Sequence, residues 1–105
     1  MRQKPSFDDI VTEAIAEVIE NIFEDGTSKI ILKFLDEDET GTIDQKVKNF
    51  AAALPEILGS GSVIIEDLIL EKLYSKLGLE FRWKEDYRFH DYIIELRQTE
   101  RRESG

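Results

Sequence analysis

The sequence predicts an all-α fold, a compact bundle of about five helices with a short extended connector near residues 79–84. Three observations lead there. Apolar residues recur at steps of three and four along most of the 105 residues, a spacing that places them on one face of a helix. Capping residues and glycines punctuate those stretches at helix-length intervals, in "PSFDD", "DGTS", "GSGS" and "LGLE",. The alternation that marks a strand occurs once, in "LEFRWK", and no second run is present to pair with it,.

The first helix is expected over residues 7–25. Ser6 can cap it with Asp9 as capping-box partner, and Val11, Ile15, Val18 and Ile22 form the stripe, with Ile10, Ala14 and Ile19 alongside. Gly26 is expected to end it, and Thr27 or Ser28 to cap a short second helix, "SKIILKFL",. An acidic loop follows. The third helix, about 44–58, carries Val47, Phe50, Leu54 and Ile57 on one face, and "GSGS" at 59–62 stops it and offers Ser62 as the next cap. The fourth, about 63–77, is apolar on most sides, which marks a central helix or one shared with a partner,. Gly78 closes it. From Asp86 the pattern is helical again through Phe89, Tyr92, Ile93 and Leu96, with acids at its start and Arg97, Arg101 and Arg102 at its end, as the helix dipole favours,. The length suits one helical domain over 1–105, with 1–5 and 103–105 frayed,.

Charge narrows the function classes. The net charge is −9, and residues 1–80 hold 8 Lys and Arg against 17 Asp and Glu, while residues 81–105 hold 6 against 6. Such a surface repels phosphate backbones and anionic lipid heads, so neither nucleic acid nor membrane is an expected partner. Without cysteine there is no disulfide, thiolate nucleophile or zinc–cysteine site,. No apolar run approaches 18 residues and "MRQKPSFDD" is not a signal-peptide pattern, so the expected location is cytoplasmic,.

"DEDETGTIDQKV", residues 36–47, has the order of an EF-hand loop: Asp36, Asp38, Thr40, Gly41 and Asp44 meet five of its requirements,. Position 12, where a bidentate Glu belongs, is Val47. Val47 begins the apolar face of the third helix, and no second loop is present to make the usual pair. The expectation is an interhelix loop and no metal or other cofactor.

The stretch "FAAALPEILGSGSVIIEDLILEKLYSKLGLEF", residues 50–81, resembles the Nitrosopumilus output domain, a small archaeal family found alone or beside signalling modules. The matching residues are Phe50, Ala53, Leu54, Ile57, Leu58, Gly59, Gly61, Ile65, Glu66, Ile69, Leu73, Leu77, Gly78, Leu79 and Phe81. They are packing and turn positions. The resemblance implies a helical fold and an output or interaction role in archaeal signalling, and no catalytic residue.

The remaining constellations are sparse. His90 is the only histidine, and Asp86 four residues earlier could share its helix face, but two ligands do not make a metal site,. Nucleophilic triads lack members, and no enzyme is expected. "GSGS" offers amides at a helix start, yet it has no P-loop lysine and Glu66 lies one turn in,. Residues 81–92 hold five of the ten aromatics, interleaved with Arg82, Lys84 and Arg88. This resembles a base-stacking platform, but Glu85, Asp86 and Asp91 cancel its charge. Trp, Tyr and Arg dominate protein-interface energetics, so Arg82, Trp83, Tyr87 and Arg88 are the candidate protein contacts. Leu70 and Tyr74 join them as surplus apolar positions, in a row with Val63 and Leu77 that another helix or a second copy must cover. The expected function is a non-enzymatic interaction domain that binds a protein, a two-fold homodimer included. The alternative is a small-ligand or ion-binding helical module that uses the acidic loop or an interhelix pocket.

Overall fold

The computed structural model describes residues 6–36 and 42–104, the side chains of Asp36 and of residues 100–104 excepted. Five α-helices occupy them: α1 Phe7–Ile22, α2 Asp25–Asp36, α3 Ile43–Leu58, α4 Ser62–Lys76 and α5 Phe89–Ser104. A single 3-10 turn, Gly59–Gly61, joins α3 to α4, and no strand occurs among the described residues. The fold is all-α, as predicted, and residues 79–84 form a connector without helix or strand. No helix is long and apolar enough to cross a membrane among the described residues.

Each helix boundary has a local cause. The Ser6 hydroxyl accepts from the Asp9 amide at 3.1 Å while the Asp9 carboxylate accepts from the Ser6 amide at 3.3 Å, the expected capping box. α1 stops at Ile22, three residues earlier than expected, because Phe23 already turns the chain with extended backbone (φ −110°, ψ 154°). Gly26 therefore ends nothing and lies in the first turn of α2. Ser28 is not the cap of α2 either. It is buried, and its hydroxyl points back to the Ile19 and Phe23 carbonyls, 3.3 and 3.1 Å away, where it satisfies the open end of α1,.

Thr42 caps α3, accepting from the Gln45 amide at 3.2 Å. Pro55 stands in the last turns of α3 and removes the donor that the Ala51 carbonyl would otherwise meet,. Gly59 then adopts φ 62°, ψ −136°, a conformation open to glycine alone, so the chain can reverse within three residues,. Ser62, expected as the cap of α4, is instead its first helical residue and makes no side-chain capping bond. α4 ends in a Schellman motif: the Leu79 amide donates to the Tyr74 carbonyl at 2.9 Å and the Gly78 amide to Ser75 at 3.1 Å, with Gly78 at φ 73°,.

The radius of gyration is 13.6 Å, close to the roughly 13 Å of a compact chain of this length. The extents are 39 × 37 × 24 Å, and the short dimension equals about two helix diameters. α1 packs chiefly on α4 and α2 on α3, while α5 closes over α3 and α4. Ile15 and Ile19 of α1, Ile31 of α2, Phe50 and Leu54 of α3, Ile69 and Leu73 of α4 and Ile93 of α5 meet in one core, all fully buried. Arg97 joins three helices at the edge of that core. Its Nη2 lies 2.7 Å from Asp8 Oδ1 and 3.3 Å from Asp44 Oδ1, and its guanidinium carbon sits 5.4 Å from the centre of the Phe7 ring.

Candidate functional site

The segment between α4 and α5 has no regular structure, yet aromatic rings hold it in place. Phe81 packs edge-on to Tyr74 at 5.1 Å and against Tyr92 at 5.5 Å, and Tyr92 packs edge-on to Tyr87 at 5.0 Å. The buried Tyr92 hydroxyl accepts from the Lys84 amide at 2.6 Å and donates to the Lys84 carbonyl at 3.0 Å. One side chain thus supplies Lys84 with both hydrogen bonds that a neighbouring strand would give. This is why an isolated strand-like run persists without a partner. Further along, the Lys84 ammonium and the Tyr87 hydroxyl both bond the Glu95 carboxylate, and the ammonium lies 5.0 Å from the centre of the Tyr87 ring. Those bonds, Lys84 first, hold the Glu95 carboxyl below its ordinary range, and Glu95 in turn raises both Lys84 and Tyr87.

α5 begins at Phe89 rather than near Asp86. The Arg88 amide donates to the Asp91 carboxylate at 2.9 Å, half of a capping box, which makes Arg88 the residue before the helix,. Asp86 instead occupies a turn at φ 69°, a left-handed position that Asp tolerates better than most residues. The pairing of Asp86 with His90 on one helix face is therefore not formed. His90 lies 3.5 Å from Asp91. Among the described residues no three His, Cys, Asp or Glu side chains gather as a metal site.

The anchored segment walls a cleft of about 540 Å³ against α3 and α4. Trp83 and Tyr87 line it, with Arg88 and His90 beside them, Lys48 from α3, and Val63, Glu66, Asp67 and Leu70 from α4. Trp83 is 69% exposed, the most exposed of the large hydrophobic side chains among the described residues. Three of the four candidate contacts of residues 82–88 thus share one site. Arg82 does not. It lines a shallow depression on another side with Tyr74, Glu80, Lys84 and Glu95, because successive side chains of a strand-like run leave on opposite sides. Its pairing with Glu80 at 3.7 Å is fully solvated and worth little,.

Leu70 and Tyr74 are corrected as partner contacts. Both are buried within the chain, Leu70 as the closed floor of the cleft and Tyr74 beneath Phe81. Those two positions need no second copy to cover them, although Val63 of the same row is exposed. The apolar residues that α4 leaves in solvent are Val63 at the cleft, Ile64, and Leu68 in a depression beside Val18 and Ile22 of α1.

Glu66, Asp67 and Lys48 are site residues that the sequence reading does not select. The spacing carries a signal, since Glu66 lies three residues after Val63 and four before Leu70, in the same helical row,. Glu66 and Asp67 are half-buried, and no cation lies within 4.0 Å of either among the described residues. Burial, and then the adjacent Asp67, raises the Glu66 carboxyl above its ordinary range. A carboxyl raised in the folded state destabilises when ionised, so its penalty shrinks as pH falls from the raised value toward the unfolded one. Glu66→Gln should therefore raise the melting temperature at pH 7 by about 2–4 °C, using about 0.5 kcal/mol for a surface-range change and about 4–8 °C per kcal/mol. The gain should fade in melts run toward pH 4.5. A variant less stable than wild type at pH 7 would mean that the carboxylate has a partner.

Compared with family models, with curated proteins and with solved structures, the chain matches none.

Proposed function

We propose that this chain is a non-enzymatic protein-docking module whose binding site is the cleft between α3, α4 and residues 83–90. The observation that carries this is Trp83, a large aromatic side chain standing in solvent at the cleft of about 540 Å³, on a segment fixed by the Tyr92 and Glu95 contacts. Exposed Trp and Tyr side chains beside an Arg are what a hot spot is made of, and holding the backbone that carries them before contact reduces the entropy lost on binding. The role fits the resemblance to the Nitrosopumilus output domain, which implies an output or interaction role in archaeal signalling, and the cytoplasmic location expected from the sequence. Another protein is favoured over a second copy as partner, because Leu70 and Tyr74, which a homodimer would have used, are covered by the chain itself. The cleft volume also lies within the range of small-molecule sites,, which supports the ligand-binding alternative.

Selection of random twelve-residue peptides displayed on phage tests the proposal. Peptides recovered on wild type should bind with Trp83→Ala weakened about thirtyfold or more, the loss typical of a hot spot of about 2 kcal/mol. Trp83 is exposed, so the variant should keep the wild-type circular dichroism and melting temperature. If no peptide is recovered, or if every recovered peptide ignores Trp83→Ala, peptide docking at this cleft is wrong.

A further inference from the structure

Resting on that docking proposal, we infer that the partner segment is basic and places a Lys or Arg side chain against Glu66 and Asp67, beside the Trp83 and Tyr87 rings.

The cleft has its carboxylates and its cations in different settings. Glu66 and Asp67 are half-buried on α4, next to the buried Leu70. Lys48 and Arg88 are exposed, and neither the Lys48 ammonium nor the Arg88 guanidinium lies within 4.0 Å of a carboxylate among the described residues. A hydrated rim cation loses little by remaining free, whereas a partly desolvated carboxylate without a counter-ion is costly. An occupant that closes the cleft would exclude water and increase that cost unless it brought a positive charge of its own. A guanidinium or ammonium placed there gains a charge-assisted hydrogen bond and, from Trp83 and Tyr87, the face of an aromatic ring. An acidic segment would set its charge beside two unpaired carboxylates, where like-charge contact is penalised. The long-range field acts in the same direction, since a chain of net charge −9 attracts basic partners and repels acidic ones,.

The test uses the same peptide selection, read for sequence. Recovered peptides should be enriched in Arg and Lys. Replacing the basic residue of a recovered peptide by Gln, or both protein carboxylates by their amides in Glu66→Gln/Asp67→Asn, should weaken binding about tenfold or more, as for a desolvated charge pair. Affinity should also fall as added salt screens the pair. The paired amides conserve shape, so folding is retained and the melting temperature confirms it. Peptides that need Trp83 but contain no Lys or Arg, or that bind Glu66→Gln/Asp67→Asn unchanged, would overturn the basic partner and leave docking at the cleft standing. Binding that ignores Trp83→Ala would overturn both.

Discussion

Val47→Glu is expected to lose about 3–5 kcal/mol of stability and to bind no calcium in exchange, because an uncompensated buried charge costs that much. The substitution completes the EF-hand pattern of residues 36–47 on paper, since position 12 gains the missing bidentate carboxylate,. Val47, however, is fully buried in the core of α3. The expected loss is a large part of the roughly 5–15 kcal/mol that a domain of this size has. Two positions within the pattern are already committed to the fold. Thr42 caps α3, and Asp44, the position-9 ligand, faces the Arg97 guanidinium shared with Asp8. The side chain of Asp36 and the whole of residues 37–41 lie outside the described ones, so the case rests on Thr42, Asp44 and Val47. The pH dependence has a definite sign. The introduced carboxyl, buried in the core, would have a raised folded-state pKa. The deficit should then shrink as pH falls through that value toward the unfolded value of about 4.3. Thermal melts at neutral and mildly acidic pH, with and without millimolar calcium, read both effects. A calcium-dependent rise in melting temperature of the variant, or wild-type stability without calcium, would show that Val47 faces the loop and not the core.

How readable the sequence is depends on how local the cause is. The spacing of Val11, Ile15 and Val18 or of Phe50 and Leu54 is a property of one helix, and these residues are buried where periodicity places them. The Ser6 and Asp9 capping box spans four residues and is equally legible. Helix ends are less so. Gly26 has the look of a stop, but Phe23 has already turned the chain, and Ser28 is drawn into the core by the open carbonyls of α1. The site divides in the same way. Trp83, Tyr87 and Arg88 are near neighbours in sequence, so their cluster is visible there. Their meeting with Glu66, Asp67 and Lys48 depends on how α3, α4 and the start of α5 cross, which no spacing within one element reports. Leu70 and Tyr74 show the complementary error. A helix that is apolar on most sides reveals surplus apolar surface but not which part of its circumference the neighbours cover, and here the covered part includes both. Arg82 is misplaced by adjacency alone, since the alternation that marks 79–84 as strand-like also sends Arg82 away from Trp83.

Tyr92→Phe is expected to lose about 2 kcal/mol and to release the backbone that carries Trp83, although it removes a single oxygen; a buried backbone group left without a partner costs about 1–3 kcal/mol, and these two are part-buried,. That oxygen holds both the amide and the carbonyl of Lys84, and water can replace only what it can reach. The ring itself stays, so its packing on Phe81 and Tyr87 should persist and the core should not open. The loss therefore falls on residues 82–88. Urea unfolding should show a lower midpoint with an unchanged slope, because the surface exposed on unfolding is nearly the same. Hydrogen exchange at the Lys84 amide should accelerate toward that of an unprotected loop, while the amides of Ile69 and Leu73 in α4 change only with global stability. Docking should suffer as well, since a mobile Trp83 must be ordered again on binding. Any peptide that needs Trp83 should bind Tyr92→Phe more weakly at a temperature where both proteins are fully folded. An unchanged Lys84 exchange rate would mean that the Tyr92 hydroxyl does not hold the connector. Unchanged peptide affinity beside accelerated exchange would mean that the anchor does not need to be held for the cleft to bind.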